Sequence, residues 1–394
     1  MLYFISYPYE ATGSQRSLFT TVSHLPKQIK SHLLLTDNGF VQELFQSANI
    51  PTTIIRPTGP LQQYGKAAFR WSLFKKVYVF LFHYLPFQWR IWQFLRTEQF
   101  DIVHCNSHRS TVLVALAAKL AGAKLVTHLR NEVRFRNIFT HIYEAASDSI
   151  ITVSKAIVND IAAKYRHKAA IIYNALQQPT ISDADTRKIN FAPNKLHLIC
   201  LSLIVPHKGL HHLIDALAHL KKKGYAHQLE VHCLGAFLEH HADYKRFLAA
   251  KVEGAQLENI HFIGYKKEPL PYLAAADLVV LPSISEEELN YDGTIQCIIG
   301  NEGLPRVLLE ACGFGKAAIA FDVPGVREII ETSKSGFIIE EGNSQALADA
   351  IEVLINAPER LVEMGENAKT IYRSKFIVAQ NVTATVQVYQ SLLD

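Results

Sequence analysis

Short runs rich in Val, Ile and Leu, alternating with longer stretches of helical period, constrain this 394-residue chain more than any other feature. Apolar runs of this length without strict polar alternation read as strands buried on both faces, and their alternation with helices is the pattern of βα units on a parallel sheet. A first series is expected at 1–6, 31–36, 52–56, 101–106, 123–128, 149–154 and 169–174. A second is expected at 196–203, 229–235, 260–264, 278–283, 317–322 and 336–340. Between them the polar stretch QQPTISDADTRKINFAPNK, with its two prolines, reads as a linker and puts the boundary near 176–194. After the last strand, 344–357, 359–374 and 378–393 read as helices. The chain therefore divides into an N-terminal α/β domain over 1–180, completed by a C-terminal helix at 376–394, and a second α/β domain over 190–375. In such sheets ligands bind beyond the carboxyl ends of the strands, which directs attention to the loops that follow them.

Composition narrows the function classes. Five cysteines, scattered and without a CxxC pair, fit reduced thiols in a cytoplasmic compartment better than a disulfide scaffold, and the 18 histidines show no zinc-finger spacing. The start MLYFISYPYEATGSQRS lacks the basic region and cleavage site of a secretory signal. The longest charge-free apolar run, 77–89, is broken by His83 and Pro86 and falls short of the roughly 20 residues of a spanning helix. A soluble or peripheral protein is expected. Residues 1–180 hold 20 Lys/Arg against 9 Asp/Glu, whereas 181–394 hold 20 against 27, so the two halves face different partners. A basic half attracts nucleic acid, anionic membrane or a phosphate-bearing acceptor, or is merely a solvated surface.

Residues 64–100 sharpen that choice. They contain Trp71, Trp89 and Trp92 and the cations Lys66, Arg70, Lys75, Lys76, Arg90 and Arg96, with Glu98 the sole acid. Aromatic rings interleaved with cations suit a membrane interface, and also stacking on single-stranded nucleic acid or packing against the first sheet. The reading here is mixed: 87–95 forms a core helix, 67–85 is a peripheral surface for anionic lipid, and nucleic acid is not expected as a partner.

The stretch EGLPRVLLEACGFGK, starting at Glu302 and followed by the strand at 317–322, carries the most chemistry. It reads as a turn entering a helix, with Pro305 at the first helical position and Val307, Leu308 and Ala311 on a packed face. A helix start offers unpaired N–H groups and a positive dipole end, a natural phosphate site. Glu302 precedes that start and Glu310 lies about two turns inside, so the two acids can address separate groups of one polyhydroxyl ligand.

The spacing of Glu302 and Glu310, with GLPRVLLEACGFGKAAIAFDVPGVREII, resembles the donor-site signature of glycosyltransferase family 4. The segments LSLIVPHKG at 201–209, 259–265 and 272–283 resemble the family's strand-plus-Lys-Gly loop and its strand, helix, Ala-Asp and Pro-Ser succession. More loosely, Gly13-Ser14, DIVHCNS, the strand end at His128 and 151–155 fall where the family has counterparts. The resemblance implies a GT-B fold: two facing Rossmann-like domains with an interdomain cleft, the donor bound mainly by the second. It implies retaining transfer of a hexose-type sugar from a nucleoside diphosphate, a UDP- or GDP-sugar, to a hydroxyl, with no metal or other cofactor expected. His128, Lys208 and Glu302 would be catalytic. The donor would be bound by Gly13, Ser14, Lys208, Gly264, Tyr265, Ser283, Glu302, Gly303, Leu304, Pro305, Arg306 and Glu310. Within that set Lys208 would meet the diphosphate, Glu302 the sugar hydroxyls and Glu310 the ribose, while Gly13 would let its loop approach closely.

Two departures stand out. The family's usual Arg, five positions before the Lys, is Leu203 here, and Arg306, Arg130 and Arg109 are the candidate substitutes. The segment 284–301 is longer than usual and reads as a lid over the donor, an acceptor-specific loop, or a surface excursion without function. A glycan or glycolipid acceptor, lipid-linked or of the lipopolysaccharide or polysaccharide type, is expected from the basic aromatic first half, on the cytoplasmic face of the membrane. Two alternatives keep the fold: a nucleotide-sugar epimerase, and an inactive nucleotide-sugar-binding relative.

Overall fold

The computed structural model describes residues 1–9, 13–63, 71–133, 136–178, 181, 182, 186, 189–291, 293–300 and 302–394. Each run expected to be a strand forms one, shortened mainly where its carboxyl end bends into a loop. In the first series these are β1 (Leu2–Ile5), β2 (His32–Leu35), β3 (Thr52–Ile54), β4 (Ile102–Cys105), β5 (Lys124–Leu129), β6 (Ser149–Thr152) and β7 (Ala169–Ile171). In the second they are β8 (Leu196–Leu201), β9 (Leu229–Leu234), β10 (Ile260–Gly264), β11 (Leu278–Leu281), β14 (Ala317–Phe321) and β15 (Gly336–Ile339). The chain separates into two compact units, Met1–Ala175 with Val378–Asp394, and Leu176–Ile377.

Both sheets are parallel. Their orders are β3-β2-β1-β4-β5-β6-β7 and β10-β9-β8-β11-β14-β15, the Rossmann order in each case. Each order reverses once, beside β1 and β4 in the first unit and beside β8 and β11 in the second. The crevice at such a reversal is where a doubly wound sheet takes its ligand.

In the N-terminal unit one face of the sheet packs Leu2, Phe4, Val103 and Leu125 against Phe87, Ile91, Leu95 and the helix His108–Ala121. The other face packs Tyr3, Ile5, Leu33 and Val126 against Leu18, Val22, Phe45 and Tyr389. Burial on both faces is why these strands carry continuous apolar runs. The C-terminal helix Val378–Leu393 completes this unit: buried Asn381 accepts from Thr21 Oγ1 at 2.7 Å and donates to the Tyr173 carbonyl at 2.7 Å. The core of the second unit gathers Leu198, Val231, Val280 and Ile319 with Leu213, Leu217, Leu347 and Ile351.

Three expectations need correction. The segment 284–301 is not loop alone: Glu286–Asn290 (β12) and Ile295–Ile299 (β13) pair antiparallel, with alternate residues exposed, and Gly293 between them has a φ of 90°. Gly13 and Ser14 are not loop residues but open the helix Gly13–Ser23. Pro305 precedes its helix, which runs Arg306–Phe314, so Glu310 lies little more than one turn inside rather than two. The expected helix 87–95 lies within Leu85–Glu98 and buries Phe87, Ile91 and Leu95. Of the aromatic and basic region 64–100, residues 64–70, with Lys66 and Arg70, lie outside the described residues. No helix among the described residues is long and apolar enough to cross a membrane. All five cysteines are free thiols, Cys297 alone among them exposed.

Candidate donor site

The switch point of the C-terminal unit is built from three loops. After β8 the chain makes a 3-10 turn, Pro206–Lys208, and enters the helix Leu210–Lys222 through Gly209, whose φ is 65°. After β11 it passes Pro282 and Ser283. The two loops touch so closely that a Cβ on Gly209 would lie 1.8 Å from the Pro282 carbonyl oxygen, which only glycine accommodates. The third loop, Glu302–Pro305, leads into Arg306–Phe314 and is braced by Gly325, where a Cβ would meet the Gly303 carbonyl at 2.3 Å.

This packing joins three of the expected residues. Lys208 Nζ donates to Glu302 Oε1, and the buried Ser283 hydroxyl donates to the same oxygen at 3.2 Å. The Glu302 and Lys208 side chains are only 13% and 21% exposed, so the pair is shielded enough for its charges to matter. Burial alone would raise the Glu302 carboxyl, but Lys208 and Ser283 outweigh it and hold the group below its ordinary value. Burial and the Lys208 charge push neighbouring His207 down to about 4, so it is neutral. Pro305 provides no capping side chain to the helix that follows. Arg306 Nε donates to Glu310 Oε1 at 2.8 Å, while Arg306 Nη1 is buried without a hydrogen-bond partner among the described residues. Gly264 and Tyr265 end the edge strand β10, where the Gly235 N–H donates to the Gly264 carbonyl at 3.1 Å and Tyr265 is exposed.

At the switch point of the N-terminal unit, Asn106 Nδ2 donates to the Ser14 carbonyl at 3.4 Å, and Arg130 Nε donates to Asn106 Oδ1 at 2.9 Å. Arg130 also donates to Asn174 Oδ1 at 2.5 Å. His128 lies within β5, buried, with Nδ1 3.1 Å from His104 Nε2; His104 Nδ1 is 2.7 Å from the Tyr389 hydroxyl on the C-terminal helix. His128 Nε2 is buried and has no hydrogen-bond partner among the described residues. A cavity of about 400 Å³ opens beyond β1, β2 and β3, lined by Tyr7, Tyr9, Asp37, Arg56, Gln62 and Arg109. In the C-terminal unit a cavity of about 540 Å³, lined by Lys195, Asp277 and Lys316, lies at the amino ends of the strands, away from the Lys208–Glu302 pair.

Residues 182–371 match the family described as "Glycosyl transferases group 1", and residues 12–177 match "Glycosyltransferase Family 4". The chain belongs to glycosyltransferase family 4. It is an enzyme of that kind with two Rossmann-like units. Among its relatives are an uncharacterized glycosyltransferase of Methanocaldococcus jannaschii, 26% identical over 76% of this chain and 78% of the relative, and the putative glycosyltransferase EpsD of Bacillus subtilis, 28% identical over 76% and 78%. The putative colanic acid biosynthesis glycosyltransferase WcaL of Salmonella typhimurium is 29% identical over 48% of this chain and 45% of its own. In fold the chain is similar to Anabaena HepE in complex with UDP, with a TM-score of 0.80 at 21% identity over 99% of each chain. It is also similar to the lipopolysaccharide outer core galactosyltransferase WaaB, with a TM-score of 0.73 at 14% identity over 99% of each.

In this family member, then, Lys208, Ser283 and Glu302 form one cluster, Gly303 and Leu304 pack on Gly325, and Arg306 pairs with Glu310. Gly13, Ser14 and His128 belong to the other unit. Leu203 is half exposed. Of the residues lining the 400 Å³ cavity, Arg109 was named from the sequence as a candidate cation; Tyr7, Tyr9, Asp37, Arg56 and Gln62 were not, and only their places at or just after expected strands pointed to them.

Burial holds the His104 imidazole down to about 3 and His128 well below the ordinary value, with Arg130 adding to both. A base whose folded value is depressed stays neutral while the unfolded chain takes up protons below about 6.5, so the stability it contributes is present above that pH and lost as pH falls. Between pH 7.5 and 5.5 the two rings together should cost the N-terminal unit about 3 kcal/mol. Urea titrations at the two pH values measure this, and His128→Asn should flatten the dependence; equal stability of the wild type at both would contradict it.

Proposed function

We propose that the C-terminal unit grips the diphosphate of a UDP-sugar between Lys208 and the start of the helix Arg306–Phe314, and that a hexose passes from it to a hydroxyl with anomeric configuration retained. The observation that carries this is the shielded Lys208–Glu302–Ser283 cluster at the switch point, beside a helix start without a capping side chain. An arriving diphosphate competes for Lys208, and Glu302, released, accepts from sugar hydroxyls. Glu310 reads the ribose. Arg306, with one buried nitrogen still unpartnered, takes over from the cation that Leu203 lacks. No side chain here is asked to act as a nucleophile; the leaving diphosphate takes the acceptor proton, and its charge is balanced by Lys208 and the helix dipole. HepE structures with UDP and UDP-glucose favour the uridine nucleotide. A thermal-shift panel of UDP-, GDP-, ADP-, dTDP- and CMP-sugars tests the reading: UDP-sugars should raise the melting temperature most, and no shift with any would sink it.

The acceptor is assigned to the N-terminal unit, with the 400 Å³ cavity as its site. A glycan acceptor of the polysaccharide or lipopolysaccharide class agrees with the names of WcaL and WaaB. The helix Leu73–Val79 and the turn after it leave Leu73, Phe74, Tyr78 and Phe82 exposed, Phe74 by 89%, with Lys75 and Lys76 between them. Such a surface suits an anionic bilayer interface and hence a lipid-linked acceptor. In flotation with anionic liposomes, Lys75→Glu with Lys76→Glu should reduce the bound fraction at least tenfold, since each cation near such a surface contributes about 1 kcal/mol. Unchanged flotation would remove the membrane from the account.

A further inference from the structure

We propose that His211, His212 and Glu287 form a binding site for one divalent transition-metal ion, zinc above others, which staples the hairpin β12–β13 to the helix Leu210–Lys222. The two histidines are consecutive at the start of that helix, and Glu287 reaches them from β12. Glu287 Oε2 is 2.9 Å from His211 Nε2 and Oε1 is 3.1 Å from His212 Nε2; one ligand atom from each residue falls within a span of 4.8 Å. Ligands at about 2.0–2.1 Å from a tetrahedral zinc stand roughly 3.3 Å apart, and both histidine–carboxylate separations are close to that value.

The outer contacts point the same way. His211 Nδ1 is 2.9 Å from the Tyr244 hydroxyl and His212 Nδ1 is 3.2 Å from Ser344 Oγ. A ligating histidine is typically oriented through its second nitrogen in this manner, which turns the Nε2 lone pair inward. His212 Nε2 is buried and, though close to Glu287, lacks hydrogen-bond geometry to it. Two imidazole nitrogens and a carboxylate converging in a buried place are a donor set for zinc or its neighbours, with the fourth position left to solvent.

The consequence reaches the donor loop. β12–β13 is inserted between Ser283 and Glu302, and β13 ends at Ile299, three residues before Glu302. Fixing β12 on the helix that follows Lys208 therefore fixes both ends of the Lys208–Glu302 pair. The site stands whether or not the donor reading holds, because its test needs no sugar.

The chelator-treated full-length chain should bind one zinc per chain, gain several degrees in melting temperature and, loaded with cobalt, show the intense visible bands of a tetrahedral N/O site. Glu287→Gln and His212→Asn, shown to be folded by circular dichroism, should weaken zinc binding at least a hundredfold, whereas His240→Asn with His241→Asn should leave it intact. Should either ligand variant fail to fold, amide exchange of the wild-type chain decides: zinc should slow exchange across 286–299. Zinc binding unaltered by both ligand variants, substoichiometric binding, or exchange indifferent to zinc would overturn the proposal.

Discussion

Lys208→Met should lower kcat/KM for sugar transfer by about 10²–10³, the loss expected when one preorganised charge facing a leaving group is removed. The same substitution should destabilise the C-terminal unit, because Glu302 is left in a largely buried position with Ser283 as its remaining described partner. An unsatisfied buried partner of this kind costs about 1–3 kcal/mol, a fall of several degrees in melting temperature for a unit of this size. Combining Lys208→Met with Glu302→Gln should recover most of that stability while leaving activity low, since neither residue then carries an uncompensated charge. Melting curves and kinetics on the two singles and the double separate the roles. If the Lys208 variant kept wild-type kcat/KM, the ammonium would have no part in the chemistry.

Gly209→Ala should be more damaging than its single methyl suggests. A left-handed backbone costs a non-glycine residue about 1–2 kcal/mol, and here the new Cβ would also stand 1.8 Å from the Pro282 carbonyl oxygen, which has to move. A total of about 3 kcal/mol or more is expected, with donor affinity reduced at least tenfold as the Pro282–Ser283 loop carries Ser283 away from Glu302. Gly224→Ala is the control: its φ is 88° but nothing lies within 4 Å of the added carbon, so only the strain remains. Equal losses for the two variants, read by chemical unfolding and UDP titration, would show that the contact between the loops is unimportant.

Central strands buried on both faces, such as β1, β11 and β14, announce themselves as apolar runs, and the edge strands β3, β7 and β10, only partly buried, were legible from their place in the βα alternation. The hairpin was not. Its first strand is EEELN, half exposed, and the Asp292-Gly293 turn signal stood in a stretch whose polarity resembles a loop. Pro305 was placed one residue too far into its helix because its φ of −61° serves the first helical position and the observed one before it equally well. The individual members of the donor cluster were legible through their motif, but the pairing of Lys208 with Glu302 across 94 residues was not, since it depends on two loops meeting at Gly209 and Gly325. His211, His212 and Glu287 escaped for a similar reason: adjacent histidines on a helix and an acid in a distant hairpin share no linear spacing.

Amide hydrogen exchange with and without UDP locates the diphosphate most directly. The account predicts slowed exchange at 303–309 and across the Pro206–Gly209 turn, lost in Lys208→Met. Protection confined to other segments, or none at saturating nucleotide, would contradict it.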